Sequence, residues 1–171
     1  MPYWTMIFTQ YPLGCFSEND LLAAVTASNL KTLCDQYGLD PALIQPTLEN
    51  LSVELAVGQR QPLFVLRYQP KNQPPIVVTE WDVAAEAGSQ LHADVTEAFL
   101  LSFGYEHLEE IRFVYSVELV ESQLRDMGLL LAYELARWIA ERGSGLVLGL
   151  DRTWYHLNPH QAFVPLSSRG A

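Results

Sequence analysis

The feature that most constrains the fold of this chain is the long segment Glu121–Arg142, which carries very little polar surface. Helical periodicity gathers one apolar face, made of Leu124, Met127, Gly128, Leu131, Leu135, Trp138 and Ile139. The opposite side is also uncharged and carries Leu129, Tyr133, Ala136 and Ala140. A narrow polar stripe has the spacing for i,i+3 and i,i+4 pairing, and its members are Glu134, Arg137 and Glu141.

A helix that is apolar on nearly all sides must be covered on more than one side. We therefore predict that this helix is either the central helix of its domain or a dimerisation element. In the second case a homodimer forms through Leu124–Arg142. Ser122 is the predicted N-cap of the helix, and Gly143 is its predicted end.

Other segments are short and rich in β-branched and aromatic residues, a composition typical of strands. They are Tyr3–Thr9, Leu51–Val57, Pro62–Tyr68, Pro75–Trp81, Ile111–Val120, Gly145–Leu150 and Thr153–Leu157. The turn-forming sequences GQRQ and PKNQP separate three of them, which favours a three-stranded antiparallel meander. The last two segments are predicted to form a hairpin.

Three further segments have a helical pattern: Ser17–Tyr37, a short helix after Asp40-Pro41, and Asp82–Phe103. Ser17 is the predicted N-cap of the first of these helices. Pro46 is expected to keep the second one short, because proline does not fit the interior of a helix.

The resulting order, β-α-β-β-β-α-β-α-β-β, places runs of strands between helices and so predicts the α+β class. We expect a mostly antiparallel, or mixed, sheet of about six or seven strands with two or three main helices packed on it. A chain of 171 residues suits one domain, 1–171. The tail from about Pro159 is predicted to be a loop or disordered.

The net charge of −10 is concentrated in one part of the chain. Residues 80–121 contain ten acidic side chains and one basic one, Arg112. This balance argues against a nucleic-acid partner, because such binding depends on lysine and arginine neutralising phosphates. The acidic segment is either a solvated face or a surface that attracts a basic protein partner.

The chain lacks the patterns of a secretory signal and of a membrane span. Cys15 and Cys34 lie too far apart to pair if Ser17–Tyr37 is one helix, and two free thiols fit a reducing compartment. We therefore predict a cytoplasmic protein without membrane contact.

Motifs that carry chemistry are absent from the sequence. Neither a G-x-G-x-x-G turn nor a G-x-S-x-G nucleophile elbow occurs. His156 and His160 have a zinc-like i,i+4 spacing, but Pro159 lies between them. The sequence thus predicts no metal site and no cofactor.

The leading hypothesis is a non-enzymatic interaction module, chaperone-like or inhibitor- or immunity-like by analogy of fold class alone. Its candidate partner-binding residues are Trp81, Glu86, Tyr105, Glu106, Glu109 and Glu110. Aromatic rings flanked by acids are suited to a basic protein surface. The alternative hypothesis is a small-molecule-binding protein or a hydrolytic enzyme, in which His92, His107 or His156 meets a carboxylate in a pocket.

Overall fold

A single antiparallel sheet organises the chain. The computed structural model describes residues 1–56, 63–81 and 112–166. Within them the strands are β1 Tyr3–Thr9, β2 Ser52–Leu55, β3 Phe64–Arg67, β4 Ile76–Trp81, β5 Phe113–Leu119, β6 Gly145–Leu148, β7 Trp154–Leu157 and β8 Phe163–Pro165. Their order in the sheet is β2-β3-β4-β5-β1-β6-β7-β8, and every neighbouring pair is antiparallel.

The helices of the described residues are α1 Glu18–Thr26, α2 Leu30–Tyr37, α3 Ile44–Glu49 and α4 Met127–Gly143. Short 3-10 turns precede two of them, at Pro41–Leu43 and Glu121–Arg125. The predicted α+β class, the meander of β2, β3 and β4, and the hairpin of β6 and β7 are confirmed. The sheet has one strand more than the upper number expected, and the predicted helix Asp82–Phe103 lies outside the described residues.

The prediction of one helix over Ser17–Tyr37 is wrong. The Ser17 side chain caps α1 as predicted, but α1 ends at Thr26. The Ser28 hydroxyl donates a 2.6 Å hydrogen bond to the Val25 carbonyl, and the Asn29 side chain accepts from the Thr32 amide at 3.3 Å. These local hydrogen bonds compete with helix continuation, so the chain breaks here and restarts as α2.

The helix after Asp40-Pro41 is short, as predicted, because α3 has six residues. The expectation that Pro46 would lie outside it is wrong. Pro46 is the third residue of α3. In the first turn of a helix the backbone N–H groups have no helical acceptor, so a proline costs little there.

The helix α4 begins later than predicted. A 3-10 turn occupies Glu121–Arg125, and Asp126 rather than Ser122 is the N-cap, accepting from the Gly128 amide at 2.7 Å. Its last helical residue is Gly143, and Ser144 follows with a left-handed φ of 52°. Both its sides are buried, which favours the central position; association of two chains through it stays a prediction.

The two faces of the sheet carry separate apolar clusters. Ile7, with Tyr115 and Val117, joins the main core under the helices. Met6 and Phe8, which alternate with Ile7 along β1, belong to a second cluster on the other face. Successive side chains of a strand point to opposite faces of the sheet, and this places Met6 and Phe8 in a different cluster from Ile7.

The prediction of a loop or disorder from Pro159 onward agrees with residues 159–162, which form a turn, but is wrong for Phe163–Pro165. Residues Phe163–Pro165 form β8 and pair with β7. The turn between these strands is organised by Asn158, whose side chain accepts from the amides of His160 at 2.9 Å and Ala162 at 3.0 Å. β8 therefore becomes the edge strand of the sheet.

Two smaller expectations concern the cysteines and the membrane. Cys15 is exposed and Cys34 is buried, and both are free thiols. Within residues 1–56, 63–81 and 112–166, no helix combines the length and the apolar character needed to cross a membrane.

Candidate ligand-binding cleft

A cleft with a volume of about 850 Å³ opens beside the last three strands. One wall is formed by α2 and by the link Ala27–Asn29, where the chain breaks between α1 and α2. The second wall is one side of α4, and the third consists of residues from β6 to β8 and their turns. The break at Asn29 and the strand β8, both missed from sequence, therefore build this cleft.

Aromatic rings from each wall meet in the cleft. The rings of Tyr37 on α2 and Tyr133 on α4 are stacked, with centroids 5.8 Å apart and an interplanar angle of 21°. Phe163 on β8 meets Tyr133 edge to face at 6.3 Å and Tyr155 at 5.7 Å. Such offset and edge-to-face pairs are favourable ring arrangements, so the aromatic wall is fixed by its own contacts.

The carboxylate of Asp151 lines the cleft together with these rings. Asp151 lies in the turn between β6 and β7, where its Oδ1 accepts from the Thr153 amide at 2.9 Å. Its Oδ2 accepts from the Tyr155 hydroxyl at 2.6 Å. Because a carboxylate offers about four lone-pair positions, these two hydrogen bonds orient Asp151 and leave acceptor capacity for a ligand.

The α4 wall carries an ion-pair network. Arg137 contacts Glu134 at 2.9 Å and Glu141 at 3.3 Å, as the predicted i,i+3 and i,i+4 spacing indicated. Glu134 is buried, and its Oε2 also accepts from Nε of Arg137 at 3.0 Å. The single guanidinium is thus shared between two carboxylates.

The protonation states in the cleft follow from burial and from Asp151. Burial raises the pKa of Tyr37, Tyr133 and Tyr155, and the negative charge of Asp151 raises each of them further. Partial burial also raises the pKa of Asp151, but the hydrogen bonds from Tyr155 and Thr153 outweigh it and bring this pKa below its usual value. At neutral pH the rings are therefore neutral phenols and Asp151 is ionised.

Of the predicted partner-binding residues, Trp81 is the one that the structure describes. It ends β4, is half-buried, and its Nε1 donates to the Ser116 hydroxyl at 2.9 Å. Its ring centroid lies 6.1 Å from that of Trp4. The other five, Glu86, Tyr105, Glu106, Glu109 and Glu110, lie outside the described residues, so binding of a basic protein there stays a prediction.

The histidines bear on the hydrolytic alternative. His92 and His107 lie outside the described residues. His156 alternates with Tyr155 along β7 and so projects from the other face of the sheet, whereas His160 lines the cleft. In the described ranges no histidine is hydrogen-bonded to a carboxylate, and no group of three or more metal-ligating side chains occurs there.

Comparisons with protein-family models, with curated proteins and with solved structures find no match to this chain.

Most of the cleft is not predicted from the sequence. Tyr133 lies on a predicted uncharged side of the long helix and Arg137 in its polar stripe, but the pattern assigns neither to a site. Tyr37, Asp151 and Phe163 belong to no motif that indicates a ligand contact. One feature of the sequence could have indicated the site. Tyr133 lies on the second uncharged side of the long helix, and such a side must be covered by other parts of the protein or line a pocket. In the described residues Tyr133 lines the cleft.

Proposed function

We propose that this protein is a small-molecule-binding protein whose ligand occupies the cleft between α2, α4 and the β6–β8 end of the sheet. The observation that carries the proposal is the cavity itself. Its volume of about 850 Å³ lies within the range of about 300–1,000 Å³ that is usual for ligand sites.

The composition of the walls supports the same proposal. Ligand sites are lined mainly by apolar and aromatic groups and contain a few fixed polar groups. Here the aromatic surface comes from Tyr37, Tyr133 and Phe163, and the fixed polar groups are Asp151 and Arg137. Because both polar groups are already held by hydrogen bonds or ion pairs, a ligand meets a site that needs little reordering.

Screening small compounds by NMR tests this function. A fragment set with cationic, neutral and anionic members is added to the ¹⁵N-labelled full chain, and amide shifts are followed for α2, α4 and β8. We expect at least one compound with a Kd below about 1 mM that shifts amides of all three cleft walls.

A blocking variant shows whether such binding occurs in the cleft. Ala162 is exposed and lines the cleft, so Ala162→Trp fills part of its opening. Ala42 is exposed on the 3-10 turn Pro41–Leu43, which does not line the cleft, and Ala42→Trp is the matched control. We expect Ala162→Trp to weaken binding at least tenfold and Ala42→Trp to leave it unchanged. A screen without cleft shifts, or equal binding by both variants, contradicts the proposed function.

A further inference from the structure

The charges of the cleft favour one class of ligand. Its described lining residues include two carboxylates, Glu134 and Asp151, and one guanidinium, Arg137. Arg137 is engaged by Glu134 and, at 3.3 Å, by Glu141 just outside the cleft. An anionic ligand would have to compete with both carboxylates for this guanidinium. Asp151, by contrast, forms no ion pair with a basic side chain among residues 1–56, 63–81 and 112–166, so a cation meets no such competitor within them.

The aromatic side chains of the cleft also favour a cationic ligand. The face of an aromatic ring is electrostatically negative and attracts an organic cation within about 6 Å of its centroid. Three tyrosines and Phe163 line the cleft beside Asp151. Burial raises the pKa of Tyr37 and of Tyr133, and the negative charge of Asp151 raises both further, because this carboxylate lies near both side chains.

We infer that the cleft selects an alkylammonium ion, with the ammonium group between Asp151 and the tyrosine rings, over neutral and anionic molecules of the same shape. This inference rests on the proposed function, since it names the class of ligand for the same cleft. Asp151 supplies the charge, and its hydrogen bonds from Tyr155 and Thr153 hold its carboxylate in place. Tyr37 and Tyr133 supply the ring surface.

Three probes of similar shape test the effect of ligand charge. Choline carries a positive charge, 3,3-dimethyl-1-butanol is neutral, and 3,3-dimethylbutanoate carries a negative charge. Titrations of the full chain at pH 7.5 are followed by amide shifts at α2, α4 and the β6–β7 turn. We expect choline to bind at least about tenfold more tightly than the neutral probe, and the anion to bind most weakly.

Two variants assign this preference to Asp151. In Asp151→Asn the choline affinity is expected to fall about tenfold, while the affinity for 3,3-dimethyl-1-butanol stays within twofold. Glu18→Gln removes the same charge from an exposed position of α1 outside the cleft, and it is expected to change neither affinity. Far-UV circular dichroism and the melting temperature show that each variant is folded.

The outcomes separate this inference from the proposed function. If choline does not bind, or binds no better than its neutral or anionic counterpart, the cation preference is overturned. The proposed function still stands in that case if the fragment screen finds any ligand that Ala162→Trp excludes. If the screen also finds no ligand in the cleft, both conclusions fail together.

Discussion

The Tyr155 hydroxyl donates a 2.6 Å hydrogen bond to Oδ2 of Asp151, four residues earlier in the chain and across the turn between β6 and β7. The turn itself is closed by backbone hydrogen bonds, from the Gly149 amide to the Thr153 carbonyl at 2.9 Å and from the Arg152 amide to the Gly149 carbonyl at 3.0 Å. A carboxylate is thereby fixed at the edge of an aromatic cleft by a local motif rather than by distant packing.

The energetic coupling of this pair is the first prediction. Tyr155→Phe and Asp151→Asn are each expected to lower the free energy of unfolding by about 1 kcal/mol, because a hydrogen bond of a partly exposed charged group has a modest net value. The double variant is expected to lose about 1 kcal/mol less than the sum of the two single effects. Urea denaturation at pH 7 measures all four proteins. Strictly additive effects would contradict a direct contribution of the hydrogen bond to stability.

The second prediction concerns Arg142, which connects the loop between β1 and α1 to the end of α4. Its guanidinium donates to the Leu13 carbonyl at 3.2 and 3.1 Å and to the Cys15 carbonyl at 3.1 Å, and it lies 5.1 Å from the Trp138 ring centroid. Lysine keeps the charge but not the planar set of donors. Arg142→Lys is therefore expected to lower the free energy of unfolding by about 1–2 kcal/mol.

The matched control for Arg142→Lys is Arg152→Lys, an equal change at an exposed position of the β6–β7 turn. We expect it to alter the free energy of unfolding by less than about 0.5 kcal/mol. Thermal and urea denaturation of both variants check this difference. Equal stability of the two variants would show that the carbonyl contacts of Arg142 contribute nothing beyond its charge.

The sequence predicted the parts of the fold that depend on local composition and periodicity. A high content of β-branched and aromatic residues identified β1 and β5, and the long apolar helix was recognised as one that must be covered on more than one side. The sequence did not reveal the helix break at Asn29, because the apolar residues keep their helical spacing on both sides of the break. β8 was missed because three residues are too few for a pattern, and its strand conformation depends on pairing with β7.

The candidate site was harder to predict, because it depends on the order of strands in the sheet. Tyr37 and Tyr133 are far apart in sequence and stack only because α2 and α4 pack side by side on one face of that sheet. The sequence by itself shows a concentration of charge only in residues 80–121. The cleft contains only a few charged side chains, Glu134, Arg137 and Asp151. They come together through tertiary structure, so the sequence pattern does not reveal them.

The third prediction tests the close approach at the start of α4. A Cβ atom on Gly128 would lie 2.5 Å from the Tyr68 hydroxyl oxygen, 2.8 Å from Cβ of Gln123 and 2.9 Å from Oδ1 of Asp126. Gly128→Ala is therefore expected to lower the free energy of unfolding by about 1–3 kcal/mol, although alanine favours helices.

Combining Gly128→Ala with Tyr68→Phe tests whether the Tyr68 hydroxyl is the atom that a Cβ at position 128 would crowd. Because Tyr68→Phe removes the nearest oxygen, Gly128→Ala is expected to cost less in the Tyr68→Phe background than in the native chain. Chemical denaturation of the two single variants and the double variant gives this coupling. A stabilising Gly128→Ala would mean that Tyr68 and Gln123 move aside without cost.

The last prediction concerns alkaline pH. Burial raises the pKa of Tyr68 well above its usual value, and the charge of Asp126, which accepts a 2.9 Å hydrogen bond from the Tyr68 hydroxyl, raises it further. Burial likewise raises the pKa of Tyr133. In the unfolded chain a tyrosine ionises near pH 10, so above that pH the unfolded state binds fewer protons than the native state. The stability supplied by these neutral phenols is present below about pH 10 and is lost as the pH rises further.

We therefore expect the free energy of unfolding to fall above about pH 10, by up to about 1.4 kcal/mol per pH unit for each such tyrosine. Tyr68→Phe is expected to be about 1 kcal/mol less stable at pH 7, because it loses the hydrogen bond to Asp126, but to lose stability more gradually above pH 10. Tyr11→Phe, at a residue that is 59% exposed, is the control and should change neither quantity. Urea denaturation between pH 7 and 11 measures the slopes, and an unchanged slope in Tyr68→Phe would contradict the raised pKa of Tyr68.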